Sequence, residues 1–271
     1  MNILILANKD IASNYALNLL IPTLKDQHQL HLWLSAKVGN NTNQPEQLSR
    51  LKFFEQDSFN KVSSRPLNNS TSNKCIKFDG FEGLNNHLNS AIKEENNINS
   101  PESIARIKKL CPDLIISIRY GGILKSECIK IPHHGVINLH SGILPKYRGV
   151  MATFWAMLND DAMIGTTLHT IGDGTIDTGE IIKISRMSVN NEKSYLQQTL
   201  ALYRQGTLDI IEATLGYARN EKIVTYPQPK SDSYFTFPMK EDFVRFEQKG
   251  LILIDEQAHH CFLRDYYQTG D

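Results

Sequence analysis

Asn138, His140 and Asp177 are the residues whose types and spacing can do chemistry together. They lie in two stretches, Gly135-Val-Ile-Asn-Leu-His-Ser-Gly-Ile-Leu-Pro-Lys-Tyr-Arg-Gly149 and Gly165-Thr-Thr-Leu-His-Thr-Ile-Gly-Asp-Gly-Thr-Ile-Asp-Thr-Gly179. Val136, Ile137 and Leu139 suit a buried strand. Side chains two apart on a strand point the same way. Asn138 and His140 therefore share a face, and Leu139 takes the other. Asp177 follows in a glycine-rich loop able to bend back toward them. An uncharged donor, a proton-transfer group and an acid that tunes it are the parts acyl transfer needs. An amine attacking a carbonyl carbon makes a tetrahedral oxyanion. The Asn138 amide can donate to that oxygen, a contribution of roughly 2.7–4 kcal/mol. His140 can donate as imidazolium or take the proton the amine must lose, with Asp177 ordering the relay. Ser141 is not in a Gly-x-Ser-x-Gly setting, so direct transfer between two bound substrates is expected, not a covalent acyl-enzyme. Taken singly, Asn138 and His140 read equally well as buried polar residues, and Asp177 as a turn residue.

The elements that must position these groups follow from pattern. Asn2 to Ala7 is a buried strand, Ile11 to Leu20 a helix stopped by Pro22, and Leu30 to Leu34 a second strand. This βαβ opening predicts a Rossmann-like, doubly wound, mostly parallel α/β sheet. Residues 37–99 are rich in asparagine (Asn40-Asn41, Asn68-Asn69, Asn85-Asn86, Asn96-Asn97), which favours turns and caps. They read as an elaborated surface region with helix-like pieces at Leu48 to Phe59 and Phe81 to Ile92. Ser100-Pro101-Glu102 starts a helix that ends before Pro112. Asp113 to Ile118 and Val136 to His140 are central strands, with a tight turn at Gly121-Gly122 after the first. Val150 to Leu158 is a helix, and Gly165 to Ile171 and Glu180 to Ile184 are strands around the Asp177 loop. Ser194 to Gln197 is a capping box opening a helix to about Gly216. The rest, 217–271, is aromatic and irregular, a small extension packed on the main body. The expected organisation is a catalytic domain over 1–190 and a C-terminal helix with a small extension over 191–271.

Composition narrows the classes. Lysine plus arginine equals aspartate plus glutamate, 29 each among 271 residues, so no global charge marks a nucleic-acid or membrane binder. Cys75, Cys111, Cys128 and Cys261 are scattered, without zinc spacing or a disulfide framework, which suits a reducing cytoplasm. No apolar run approaches the ~20 residues that span a bilayer, and the N-terminus does not read as a signal peptide. His133-His134 and His259-His260 are expected on the surface, and no metal is expected.

Asn-Leu-His-Ser-x-Leu-Leu-Pro-x-Tyr-Arg-Gly, Gly-x-Thr-Leu-His and Asp-x-Gly-x-Asp-Thr-Gly together resemble the formyltransferases that use 10-formyltetrahydrofolate. These include methionyl-tRNA formyltransferase, glycinamide ribonucleotide transformylase and the sugar N-formyltransferases. The resemblance is strong over about 101–184. It implies formyl transfer to a primary amine, with the family's catalytic asparagine, histidine and aspartate falling on Asn138, His140 and Asp177. It also implies a folate-binding turn at Gly122, Ile123 and Leu124, faced by a loop containing Gly172, Asp173 and Ile176. Gly174 sits one position earlier than in the family pattern, which leaves Asp173 as a rival for the acid role. The Leu-His169 variant is similar to the sugar-amine members. About 87 residues follow Ile184, where the tRNA enzymes of the family carry a large C-terminal barrel. From Arg186 onward 10 lysines and arginines face 12 acids, a poor phosphate-backbone binder. The expected acceptor is a small amine, with an amino sugar on a nucleotide preferred and tRNA disfavoured. A hydrolase releasing formate and a folate-binding protein without turnover are the other readings, and a homodimer is left open. Lys146 and Arg148 read as substrate-phosphate contacts or loop braces, and His169 as structural.

Overall fold

The fold is given by a computed structural model that describes residues 1–36, 44–63 and 78–267. Asn40-Asn41, Asn68-Asn69 and Cys75 lie outside the described residues. Seven strands form one sheet: β1 (Asn2–Asn8), β2 (Gln29–Ser35), β3 (Lys93–Glu94), β4 (Leu114–Ile118), β5 (Val136–His140), β6 (Met163–Thr170) and β7 (Ile181–Ser188). Their order is β3-β2-β1-β4-β5-β6-β7. The first five run parallel, and β6 and β7 are antiparallel. This is the expected Rossmann-like, doubly wound, mostly parallel sheet.

Alternation along the strands builds a layer on each face. Ile3, Ile5 and Ala7 of β1, with Ile137 and Leu139 of β5, pack under α1 (Ile11–Leu24). Leu4, Leu6 and Val136 face the other layer. Between α1 and the second layer the chain makes α2 (Glu46–Lys52), α3 (Phe59–Ser63) and a single turn, α4 (Phe81–Leu84). The second layer is built on α5 (Pro101–Leu110) and the short α6 (Ser126–Ile129). After β5 come α7 (Ala152–Leu158), α8 (Tyr195–Ala218), α9 (Lys240–Gln248) and α10 (Glu256–Tyr267). The apolar residues of these helices join the α1 face. No described helix is long and apolar enough to cross a membrane.

Five expectations change. Pro22 does not stop α1, which runs on to Leu24. Proline forfeits one backbone bond near a helix end, and buried Leu24 with the Lys25 N–H to the Ile21 carbonyl (2.9 Å) closes the last turn. The region around 53 is not a regular helix. Between α2 and α3 the stretch Phe53–Ser58 adopts the wider π spacing. Phe81 to Ile92 is helical only through His87, after which Leu88 is extended and the chain enters β3. The tail beyond 217 contains α9 and α10. Their inward stripes, Phe243 with Phe246 and Leu263 with Tyr267, were hidden among aromatics. His259 belongs to that second stripe: it is buried on α10, edge-on to Phe54, and burial pushes its pKa down to about 4.

Candidate active site

The β5–β6 register does what β5 alone cannot. Asn138 is paired with His169 and His140 with Thr167, so two polar pairs stack on one face of the sheet. His169 Nδ1 lies 2.8 Å from the Thr170 carbonyl, which can only accept, so Nδ1 carries the hydrogen. In the neutral ring Nε2 then accepts from Asn138 Nδ2 at 3.1 Å. One Asn138 N–H is thereby used and the second remains. His140 is oriented the same way by the Tyr147 carbonyl, 2.7 Å from Nε2. Its free nitrogen, Nδ1, faces Asp177 Oδ2 at 3.5 Å.

Asp177 sits between the two rings, with Oδ1 3.5 Å from His169 Nε2. Burial alone would raise this carboxyl. The charge of His140, the neighbouring His169 ring and the Gly149 N–H on Oδ2 (2.9 Å) outweigh burial and hold it at about 2. Asp177 has φ +55°, in the left-handed region that aspartate tolerates better than most residues. Its backbone is tied down on both sides. Arg148 donates from Nε and Nη2 to the Ile176 carbonyl (3.1 and 2.9 Å) and from Nη1 to the Ser231 carbonyl (3.1 Å). Gln228 Nε2 donates to the carbonyls of Asp177 (3.0 Å) and Gly179 (2.6 Å). Gly149, at φ +98°, allows the close approach, since a Cβ there would overlap the Phe235 carbonyl.

These groups border a cavity of about 970 Å³ at the carboxyl ends of the parallel strands, where open α/β sheets take ligands. Asn138, His140 and Asp177 line it together with Gly122, Ile123, Leu124, Asp173 and Ile176. Gly172 is exposed and does not line it. Asp173 is exposed, and its carboxylate accepts from Thr175 N–H (2.8 Å) and the Thr175 hydroxyl, turned into its own loop. Lys146 pairs with Asp161 on the surface, and Arg148 braces the loop. His169 and Gln228 were not legible as site residues, whereas Arg148 takes the loop-bracing one of its two expected roles. Only the hairpin register brings His169 to Asn138, and Gln228 arrives from a segment that has no regular pattern. No group of three or more described His, Cys, Asp or Glu residues has metal-binding geometry.

Comparison with known proteins gives three findings. Residues 55–209 match the formyl transferase family. The chain is 37% identical over 139 residues to the methionyl-tRNA formyltransferase of Thermodesulfovibrio yellowstonii, covering 51% of this chain and 44% of that protein. The chain spans about half the length of the curated relatives it matches. Among solved structures, a sugar 3N-formyl transferase determined with dTDP and 5-N-formyl-THF superposes with a TM-score of 0.56 at 16% identity, covering 94% of this chain and 83% of that one. Glycinamide ribonucleotide transformylase 1 of Symbiobacterium toebii superposes with a TM-score of 0.57 at 12% identity, covering 84% and 95%. At such identities these two likenesses concern the fold alone.

Proposed function

The chain belongs to the formyl transferase family, and from that premise we propose that it transfers a formyl group from 10-formyltetrahydrofolate to the primary amine of a small acceptor. One observation carries the reading. The Asp177 carboxylate lies 3.5 Å from both His140 Nδ1 and His169 Nε2, beside the Asn138 amide, on the wall of a large cavity.

The opposite wall suits a flat bicyclic ring. It offers the backbone of Gly121 and Gly122 and the apolar side chains of Ile123, Leu124 and Ile171, faced by Thr175 and Ile176. Backbone groups of the 121–124 turn would bond the ring's polar edge while Leu124 and Ile171 cover its face. When bound, the folate supplies an activated formyl group. The rest of the work falls to the chain. Asn138 has one amide N–H committed to His169 and aims the other at the oxygen on which charge develops, a role typically worth about 10²–10³ in rate. His140 has Nε2 committed to Tyr147, so Nδ1 exchanges the proton with the attacking amine. Asp177 stays ionised at neutral pH and stabilises the imidazolium that results. Arg148 and Gln228 hold Asp177 in place.

The preferred acceptor is an amino sugar on a nucleotide, in keeping with the structural neighbour named as a sugar 3N-formyl transferase and determined with dTDP. The alternative is the methionyl-tRNA acceptor named for the relatives. The acidic balance of residues 186–271 argues against it. The unpaired Cys111, Cys128 and Cys261 suit a reducing, cytoplasmic setting. The test is tetrahydrofolate release from 10-formyltetrahydrofolate with a panel of amino sugars. Release that requires an amino sugar is expected. Release without acceptor would indicate a hydrolase, release only with methionyl-tRNA the tRNA enzyme, and folate binding without release a protein that has lost turnover.

A further inference from the structure

The cavity extends beyond Asn138, His140 and Asp177 to a further stretch of wall. It opens between β1 and β4, where the strand order reverses and crevices form in open sheets. This stretch comprises Asn8 at the end of β1, Arg119 just past β4, Glu55 from the π-helical segment, and Tyr195 and Tyr203 of α8.

The positive end of α1 is already filled. Asp10 Oδ1 accepts from Ser13 N–H (2.8 Å), while Oδ2 accepts from Asn8 Nδ2 (2.7 Å) and Arg119 Nε (2.9 Å). An anionic acceptor group finds this helix end matched by its own carboxylate and Arg119 already paired. Arg119 also turns Nη2 toward Glu55, but at 3.3 Å from each oxygen. Two carboxylates thus share one guanidinium, and Glu55 is the surplus one, 8% exposed and on the cavity wall. On the same wall, near Arg119 and Ser141, the fully buried Tyr203 hydroxyl makes no hydrogen bond of good geometry among the described residues. Burying a loosely paired carboxylate and an unsatisfied hydroxyl together is costly in a core. In a ligand site both have a purpose, and π-bulges such as the one bearing Glu55 recur at such sites.

We propose that Glu55 is the acceptor-recognition residue. With the Tyr203 hydroxyl it receives the hydroxyl and ammonium hydrogens of a polyhydroxylated primary amine, seated in the switch-point crevice beside the Asn138–His140–Asp177 wall. The acceptor is an amino sugar whose reacting ring carries no phosphate. A nucleotide diphosphate attached to that ring lies outside the α1 terminus, where Lys52, exposed and on the cavity wall, has no partner among the described residues. The inference rests on the formyl-transfer reading for its chemistry but not for its binding.

Two measurements test it on the full chain, with dTDP-3-amino-3,6-dideoxygalactose, UDP-glucosamine and the phosphomonoester glucosamine 6-phosphate as probes. The first is calorimetric binding without folate, and the second is steady-state transfer with 10-formyltetrahydrofolate. At least one nucleotide-linked amine should bind the wild type, and more tightly than glucosamine 6-phosphate. Glu55→Gln should weaken that binding and raise the acceptor KM by roughly tenfold or more, the usual loss for a charge-assisted bond. The KM for 10-formyltetrahydrofolate should be unchanged and kcat should stay within about threefold. Tyr203→Phe should act in the same direction by roughly threefold to fivefold. It carries the test should Glu55 variants fail to fold. Unchanged acceptor affinity in folded variants, equal shifts in acceptor and folate constants, tighter binding of glucosamine 6-phosphate, or no binding of any probe would overturn the proposal. Binding that depends on Glu55 without any formyl transfer would keep the acceptor site and remove the formyl-transfer reading. Transfer indifferent to Glu55 would do the reverse.

Discussion

The two walls of the cavity are stabilised by different physics. On the β5–β6 wall, two imidazoles are fixed by backbone carbonyls, of Tyr147 and Thr170, and the single carboxylate between them is held by a backbone N–H and anchored through its neighbouring carbonyls. Across the β1–β4 crevice, the buried carboxylates of Asp10 and Glu55 and the half-buried guanidinium of Arg119 hold one another. Backbone anchoring fixes reacting groups to a fraction of an ångström without depending on the ligand. A charge network is a costlier scaffold and is sensitive to any change in its members. The first arrangement suits groups that must hold one fixed geometry, and the second a surface that selects what enters.

The largest expected effect lies on the first wall. His140→Ala or Asp177→Asn should lower kcat by about 10³, and Asn138→Ala by at least ~100-fold, with the fold intact by circular dichroism. Near-normal turnover in any of them would show that this wall does not host the reaction. On the second wall Arg119→Met should cost about 3 kcal/mol or more of stability in urea unfolding, because it strands two buried carboxylates. If stability is unchanged, the contrast between the walls collapses. Gln228→Ala, which frees the carbonyls of Asp177 and Gly179, should reduce kcat by roughly tenfold while leaving folate affinity nearly constant, as expected for the loss of about 1.4 kcal/mol of positioning. A parallel fall in folate affinity would mean the loop supports the pocket and not the acid.

The smallest effect sharpens the comparison through pH. Burial beside Asp10 pushes the Glu55 carboxyl up to about 7 despite Arg119, with Tyr195 also facing it. Between the ordinary glutamate value and 7 the native state holds a proton that the unfolded chain has released. Stability from this group is therefore complete below about 4.3 and is lost as pH rises through 7. Glu55→Gln should remove that loss, narrowing the difference in thermal midpoint between pH 5 and pH 8 by about 2–4 °C. An unaltered difference would place the titration elsewhere. Asp177 has the opposite sign: its depressed value contributes stability that disappears only as pH falls below the ordinary aspartate range toward 2.

Much of the fold follows from local pattern. The apolar runs of β1, β4 and β5, the Ser100–Pro101 start of α5 and the Ser194–Gln197 box of α8 are each set by neighbours within a few residues. The same holds for Asn138 and His140, because alternation along one strand places both on one face. Elements that failed did so for non-local reasons. α1 survives Pro22 because Leu24 in its last turn is buried, the segment after His87 extends because β2 offers an edge to pair with, and His259 is drawn inward by its place on α10. The sequence by itself determined the chemical inventory and the strands that carry it, since both depend on periodicity and residue type. Only the tertiary structure decided that His169 meets Asn138, that Gln228 holds the Asp177 loop, and that Asp10, Glu55, Arg119 and Tyr203 share one crevice. Those meetings depend on strand register and helix docking, which contacts distant along the chain select and no short stretch encodes.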